Sequence, residues 1–156
     1  MAKQKYKIDL AGQLAECEAN YLRIMKLLPD MSFVDSREFG VEFAGGTPVD
    51  IRITVTERCK YTTMLQVSQL QASTQWSNAP CFVLRVYHDA QMAEVIAFDR
   101  HHRLYPRYEY PNSNMYQCNE KAQLNLFLGE WLSHCLRYGH ALSNPSESAL
   151  CQVSRK

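Results

Sequence analysis

The sequence predicts an α+β domain, in which an antiparallel sheet of four to six strands, connected as a meander, carries an N-terminal and a C-terminal helix on one face. Apolar residues recur at helical spacing near both ends of the chain, in residues 9–28 and 119–138. Between them, residues 49–98 contain runs of alternating apolar and polar residues, as in strands with one buried face. Strands grouped between two helices favour the α+β class.

The first predicted helix covers residues 9–28. Asp9 is a suitable N-cap, because its carboxylate can accept hydrogen bonds from the free N–H groups of the first turn. Pro29 ends the helix, since it lacks an N–H group and disfavours helical backbone in the residue before it. The apolar positions form one stripe along the helix: Leu10, Leu14, Cys17, Tyr21, Ile24 and Leu28.

Two strands are predicted next, a short one around 41–43 and a clear one over 49–56, in which every second residue is apolar. After a turn at 57–60, residues 63–67 provide another apolar face. A slip of one residue would bury a charged side chain, so the register is well determined. It predicts two cross-strand pairs, Ile53 with Leu65 and Ile51 with Val67.

A β-hairpin is predicted over residues 81–98, with its turn at Asp89-Ala90. This turn sets two cross-strand pairs, Arg85 with Glu94 and Tyr87 with Met92. We expect Arg85 and Glu94 to form an ion pair worth a few tenths of a kcal/mol, up to about 1 kcal/mol.

The rest of the chain contains loops and one more helix. Residues 70–80 are polar and predicted to be a loop, and a short strand is predicted near 105–110. The last helix begins with Asn119 as N-cap and ends before Gly139, which suits the position after a helix. We expect residues 1–142 to form a single domain and residues 143–156 to be a mobile tail.

Composition narrows the class of protein. A chain of 156 residues is one domain by size, and a formal net charge of +1 removes the argument for whole-protein attraction to nucleic acid or an anionic membrane. The six cysteines include no CxxC pair, and no secretory signal precedes them, so we expect reduced thiols and a cytoplasmic protein. No stretch approaches the roughly 20 apolar residues of a membrane span, and no membrane partner is expected.

His88-Asp89 is the first candidate for chemistry. His-Asp phosphohydrolases use such a pair on a helix with further ligands, whereas here it lies at a β-turn, where Asp89 is a typical turn residue. A zinc site built from His88, His101, His102 and either Cys81 or Cys118 lacks the short spacings of zinc motifs, so neither metal nor cofactor is expected. No Gly-x-Ser-x-Gly elbow and no glycine-rich phosphate loop is present. The catalytic residues, if any, stay unknown.

Residues 100–111, which we call the basic–aromatic segment, are the second candidate. They combine positive charge with aromatic faces, a mixture that suits single-stranded nucleic acid, a small anionic ligand or a protein interface. The side chains concerned are Arg100, Arg103, Tyr105, Arg107, Tyr108 and Tyr110.

Several segments resemble the YqiB-like family of uncharacterised bacterial proteins. The most specific are Val86-Tyr87-His88-Asp89-Ala90 with Ala93-Glu94-Val95, and Arg107-Tyr108-Glu109-Tyr110-Pro111-Asn112. Residues 17–21, 27–29, 58–63 and 131–132 match as well, while Cys118-Asn119-Glu120-Lys121 replaces the Arg-Asp-Glu-Lys that opens the family's last helix. The resemblance implies a cytoplasmic single-domain protein, and it implies no reaction or cofactor.

The residues favour a non-catalytic binding or adaptor domain with a protein partner, since arginines and tyrosines crowd together without a catalytic constellation. Two alternatives stay open: an enzyme that uses His88 as general base on a small anionic or phosphorylated substrate, and a protein that binds single-stranded nucleic acid. The expected binding residues are Tyr87, His88, Asp89, Glu94, Arg103, Arg107, Tyr108, Tyr110 and Asn112.

Overall fold

The computed structural model describes residues 7–42, 48–70, 81–99 and 118–142. Within these ranges the chain forms two helices and six strands. In chain order they are α1 (Leu10–Leu27), β1 (Ser36–Glu42), β2 (Pro48–Arg58), β3 (Thr62–Gln69), β4 (Cys81–Tyr87), β5 (Met92–Asp99), α2 (Cys118–Tyr138) and β6 (Gly139–Ala141). The predicted loop at 71–80, the predicted strand near 105–110 and the predicted tail lie outside the described residues.

The six strands form one antiparallel sheet in the order β5-β4-β3-β2-β1-β6. Strands β1 to β5 are a meander, as predicted, and β6 adds a strand beyond β1 that the sequence analysis did not find. Helix α2 has 21 residues and is therefore about 31 Å long. Five spacings between strands amount to about 24 Å, so α2 is long enough to carry the chain from the β5 edge to the β1 edge, where β6 pairs.

Both helices pack on one face of the sheet, which confirms the predicted α+β class. Buried strand residues fall at alternate positions, as Ile51 and Ile53 or Leu84 and Val86 do, because successive side chains point to opposite faces. The helices cover this face with Ile24 and other buried residues. These other buried residues are Leu28, which follows α1, and Leu128, Trp131, Leu132 and Cys135 of α2. Among the described residues, neither helix is long and apolar enough to cross a membrane.

The predicted α1 is confirmed, including its cap: the Asp9 carboxylate accepts from Gly12 N at 3.0 Å. Its apolar stripe is buried only in part. Leu10 is 62% exposed and Leu14 41% exposed, whereas Ile24 is buried. The core therefore begins about halfway along α1.

Helices α1 and α2 run parallel and close together. Near their middles Asn20 Nδ2 donates to Asn125 O at 3.0 Å, and their C-terminal ends line one cavity. A Cβ on Gly129 of α2 would overlap the Glu16 carboxylate and lie 2.7 Å from a nitrogen of Arg23. The absence of a side chain at this position leaves room beside α2 for the ion pair between Arg23 and Glu16.

The predicted register between β2 and β3 is wrong by two residues. Ile53 pairs with Val67, and Val55 pairs with Leu65. Strand β2 continues to Arg58, and the pairing shifts at a bulge between Val55 and Glu57. A shift of two residues keeps the same side chains on the buried face, so the alternation in sequence does not distinguish the two registers.

The predicted hairpin pairs are confirmed: Arg85 lies opposite Glu94, and Tyr87 lies opposite Met92. The connection has four residues, His88–Gln91, instead of the two-residue turn expected at Asp89-Ala90, and Gln91 adopts a left-handed conformation with φ of 54°. At the start of α2, Asn119 lies inside the helix, which begins at Cys118, and not at the expected N-cap position.

Candidate functional site

The β4–β5 connection, which we call the hairpin tip (His88–Gln91), is joined to the turn between β2 and β3. His88 N donates to Tyr61 O at 2.9 Å, and His88 Nε2 lies 2.7 Å from Thr63 Oγ1. The ring of Tyr21 on α1 meets the imidazole edge-on, with centroids 6.5 Å apart. His88 therefore holds the hairpin tip against β3 and α1.

Two exposed turns lie side by side as a result, and we call Cys59–Tyr61 with Asp89–Gln91 the paired-turn surface. All of these residues are exposed, and Tyr61 is 55% exposed. Lys60 Nζ lies 5.0 Å from the centroid of the Tyr61 ring, within the range of a cation–π contact. The surface thus offers an aromatic face, a cation and a carboxylate on adjacent turns.

Tyr87 and Glu94, two of the predicted site residues, are hydrogen-bonded. Tyr87 Oη donates to Glu94 Oε1 at 2.7 Å, and Lys121 Nζ of α2 lies 2.7 Å from Glu94 Oε2. The expected ion pair between Arg85 and Glu94 is replaced by this contact with Lys121, and Arg85 Nε instead lies 3.4 Å from Met64 Sδ. The partner is on a different element because β5 is an edge strand, which the start of α2 can reach.

The electrostatics of this trio follow from its geometry. Burial raises the pKa of Glu94, but hydrogen bonds from Lys121 and Tyr87 outweigh it, and the pKa is lowered overall. The pKa of Tyr87 is raised by burial and by the hydrogen bond to Glu94, which favours the protonated phenol. At neutral pH the trio is an ionised pair with a neutral phenol, an arrangement that stabilises the hairpin and leaves no poised acid or base.

Cys17 of α1 lies near the same trio. Its pKa is raised, first by burial and then by the negative charge of Glu94, so its thiol stays protonated and is a weak nucleophile at neutral pH. Cys17, Cys59 and Cys135 are free thiols, in line with the expectation of reduced cysteines at these positions.

A polar network fastens both helices to the edge of the sheet. Asn125 Oδ1 accepts from the backbone N–H of Val95 on β5 at 2.8 Å, and Asn20 donates to the carbonyl of Asn125. Asn20 Oδ1 in turn accepts from Arg23, which also bonds Glu16. Asn20 and Asn125 are buried, and their polar groups are satisfied by one another and by the edge strand.

The structure thus describes only some of the predicted site residues. Tyr87 and Glu94 are in contact, His88 faces Thr63 and α1, and Asp89 is exposed at the hairpin tip. The remaining predicted residues lie outside the described part of the chain: Arg103, Arg107, Tyr108, Tyr110 and Asn112. Thr63 and Lys121 were missed, although both stand in segments that carry the family resemblance.

The described residues assemble no catalytic constellation. A nucleophile must meet a base and an orienting group. The Thr63 hydroxyl lies 2.7 Å from His88 Nε2, but Thr63 is only 4% exposed, and Cys17 is a weak nucleophile. Across the described ranges, no cluster of three or more histidine, cysteine or acidic residues could hold a metal ion.

Comparisons with known proteins place the chain in a family. Residues 23–141 match the family model described as "Protein of unknown function (DUF1249)". The chain is 32% identical over 136 residues to "Uncharacterized protein YqiB" of Escherichia coli (strain K12), a match that covers 87% of this chain and 94% of the relative. The YqiB protein of Escherichia coli O157:H7 matches to the same extent, and no solved structure matches. The chain therefore belongs to the DUF1249 family, which confirms the YqiB-like resemblance found in the sequence.

Proposed function

We propose that the protein is a non-catalytic binding module, which docks a protein partner through the paired-turn surface together with the basic–aromatic segment. The observation that carries the proposal is that the hairpin region has two sets of side chains, one bonded internally and one exposed. The polar side chains that look catalytic in the sequence, those of Tyr87, His88 and Glu94, are engaged in internal contacts. The side chains of the two turns are exposed.

Anchored turns are suited to binding because little conformational freedom is lost on docking. The hairpin tip is fixed by two contacts of His88. The other turn is preceded by Arg58, whose guanidinium binds Met31 O, Val34 O and the Asp35 carboxylate. Tyrosine and arginine are enriched among the residues that dominate interface energies, which supports a joint role for Tyr61 and the arginines of the basic–aromatic segment.

Catalysis by His88 is the weaker alternative. A general base must reach the proton that it abstracts, and the Nε2 atom of this imidazole is 2.7 Å from Thr63 Oγ1. Of the two acidic residues that could orient this imidazole, Glu94 is hydrogen-bonded to Tyr87 and Lys121, and Asp89 is exposed at the hairpin tip.

The test is quantitative co-purification from lysate with a matched pair of variants. Lys60→Glu/Tyr61→Ser removes the cation and the ring from the paired-turn surface. Arg137→Glu/Tyr138→Ser removes a similar pair, with the Arg137 guanidinium carbon 5.5 Å from the Tyr138 ring centroid, at the end of α2. We expect the first variant to lose its specific partner at least tenfold and the second to retain it. Both variants are first checked for wild-type stability by urea denaturation.

Arg107→Ala tests the contribution of the basic–aromatic segment in the same experiment. The proposal fails if wild type retains no partner, or if all variants retain the same partners in equal amounts. Nucleic acid is tested separately, by titrating a fluorescent single-stranded oligonucleotide at low and high salt. If the protein binds the oligonucleotide tightly, if high salt weakens this binding and if Tyr108→Ala abolishes it, then the partner is a nucleic acid and not a protein.

A further inference from the structure

A cavity of about 220 Å³ opens at the β1–β6 side of the sheet, whereas the hairpin tip belongs to the opposite edge strand. Its walls are the C-terminal ends of α1 and α2 and the strands β1 and β6. About five strand spacings, or roughly 24 Å, separate the two edges. The cavity is therefore distinct from the paired-turn surface.

The local chain geometry creates this cavity. Because the two helices are parallel, their C-terminal ends come together over the same strands. Strand β6 starts directly after α2, and a Cβ on Gly139 would overlap the carbonyl oxygen of Cys135. Glycine thus lets the chain reverse tightly, which brings β6 beside β1 and closes one side of the cavity.

The lining combines apolar walls with positive charge. Leu27, Phe39, Cys135 and Leu136 provide apolar surface, and Lys26 and Arg37 provide two cations. None of the residues that line the cavity in the described ranges carries a carboxylate. The His140 imidazole lies over Gly40, and its Nε2 is 2.6 Å from where a Cβ would stand.

Arg37 is held in place and still has N–H groups to offer. One terminal nitrogen donates to Leu27 O at 3.1 Å, and the other lies 3.6 Å from a carboxylate oxygen of Asp30, whose side chain is 60% exposed. A pair this long and this exposed is worth little. The guanidinium has further N–H groups outside these two contacts.

The helix ends nearby do not cancel the positive charge. The C-terminus of a helix disfavours an anion through its free carbonyl groups. At the end of α1, Ile24 O accepts from Leu28 N and Leu27 O accepts from Arg37. These two carbonyls of α1 are bonded, which reduces their effect on an anion. The cavity is then faced by the charge of Lys26 and by that of Arg37, which is only weakly paired with Asp30.

We propose that this cavity binds a small amphipathic monocarboxylate. The apolar part of the ligand packs between Phe39 and Leu136, and its carboxylate is bound by Arg37 and Lys26. A pocket with apolar walls and a few convergent polar groups is the usual form of a small-molecule site. The guanidinium of arginine matches the planar geometry of a carboxylate.

The experiment titrates the full chain with hexanoate, followed by amide chemical shifts in NMR spectra. Hexanol and hexylamine are the neutral and cationic controls of the same length. We expect saturable shifts confined to residues around the cavity, and hexanoate to bind at least tenfold more tightly than either control. Lys26→Gln and Arg37→Gln should each weaken hexanoate binding about tenfold, as expected for loss of one charged hydrogen bond.

Arg52→Gln is the matched control, because Arg52 is also a sheet arginine in an ion pair, 2.6 Å from Glu38, and it does not line the cavity. Its affinity for hexanoate should stay within about twofold of wild type. If Arg37→Gln unfolds through loss of its bond to α1, the proposal is tested by Lys26→Gln alone, because Lys26 is exposed. Three results would overturn the proposal: no saturable shift, equal binding of hexanoate and hexanol, or equal loss in the Arg52 control.

Discussion

Substitution of Asn125 by alanine tests how the helices are fastened to the sheet. This buried side chain accepts from the backbone N–H of Val95 at 2.8 Å, on the outer edge of β5. No neighbouring strand pairs with that edge within the described sheet. We expect Asn125→Ala to leave the Val95 amide as a buried donor without an acceptor.

The cost follows from the contacts that are lost. A buried donor left unsatisfied costs about 1–3 kcal/mol, and deleting the side chain adds a small cavity. The bond from Asn20 is retained, because its acceptor is the backbone carbonyl of residue 125. The free energy of unfolding should therefore fall by about 2–3 kcal/mol. For a chain of this size that lowers Tm by roughly 4–12 °C.

Urea denaturation followed by circular dichroism measures the global effect, and native-state hydrogen exchange of the Val95 amide measures the local one. Each 1.4 kcal/mol corresponds to a factor of about ten, so exchange should be roughly 30 to 140 times faster in Asn125→Ala. Asn125→Leu refills much of the volume without an acceptor and should be destabilised comparably. Leu126→Ala is the control, since Leu126 is 52% exposed and should change stability by less than about 0.5 kcal/mol.

A different outcome would refute the reasoning. If Asn125→Ala unfolds with wild-type free energy, or if the Val95 amide keeps its protection, the contact does not stabilise the edge. If Asn125→Leu is as stable as wild type while Asn125→Ala is not, the cavity accounts for the loss and the hydrogen bond does not.

Three further predictions concern single groups. Gly129→Ala places a Cβ against the ends of the flexible Glu16 and Arg23 side chains, which can turn away, and alanine favours the helix over glycine by about 1 kcal/mol, so the free energy of unfolding in urea should change by less than about 1 kcal/mol, whereas a loss above about 2 kcal/mol would show that these side chains cannot move. The folded-state pKa of Glu94 is lowered from 4.5, so its stabilisation is present above that pH and is lost as pH falls through the folded pKa. The difference in unfolding free energy between wild type and Glu94→Gln should therefore shrink on acidification below pH 4.5, and a constant difference would contradict the lowered pKa. Burial raises the pKa of Cys135 to about 12, so a thiol reagent at neutral pH should spare it until unfolding while labelling exposed Cys59, as peptide mass spectrometry would show.

The fold class was predictable because the sequence contains two periodicities, one typical of helices and one typical of strands. The helical stripe of α1 and the alternation in β2 each require one buried face, and the structure buries the β2 face and the C-terminal half of the α1 stripe. The N-cap at Asp9 was predictable for a local reason, since a cap depends on groups within one turn.

Details that depend on distant elements were not predictable. Two registers of β2 against β3 bury the same side chains, and the bulge between Val55 and Glu57 selects the observed one. The strand β6 has only three residues, too few for a pattern, and it exists because α2 delivers it to β1. Helix α2 is long enough to span the width of the sheet and so to bring β6 to β1, but this can be recognised only when the strand order is known.

The candidate site shows the same limit. Arg85 and Glu94 were placed opposite each other correctly, yet the carboxylate pairs with Lys121, because an edge strand can be reached by a helix from the side. His88 and Thr63 are 25 residues apart, and only the pairing of β3 with β4 brings them together.

Several of the segments that carry the family resemblance meet at the hairpin. Residues 17–21 of α1, the turn 58–63, the strand ends 86–90 and 93–95, and the start of α2 are joined there through contacts of His88 and Glu94. Most of these contacts hold the hairpin tip in position. The buried threonine, the imidazole and the ion pair together fix a turn whose own side chains are exposed. In the proposed function, a protein partner would therefore contact the exposed side chains that these fixed turns present, Tyr61 among them.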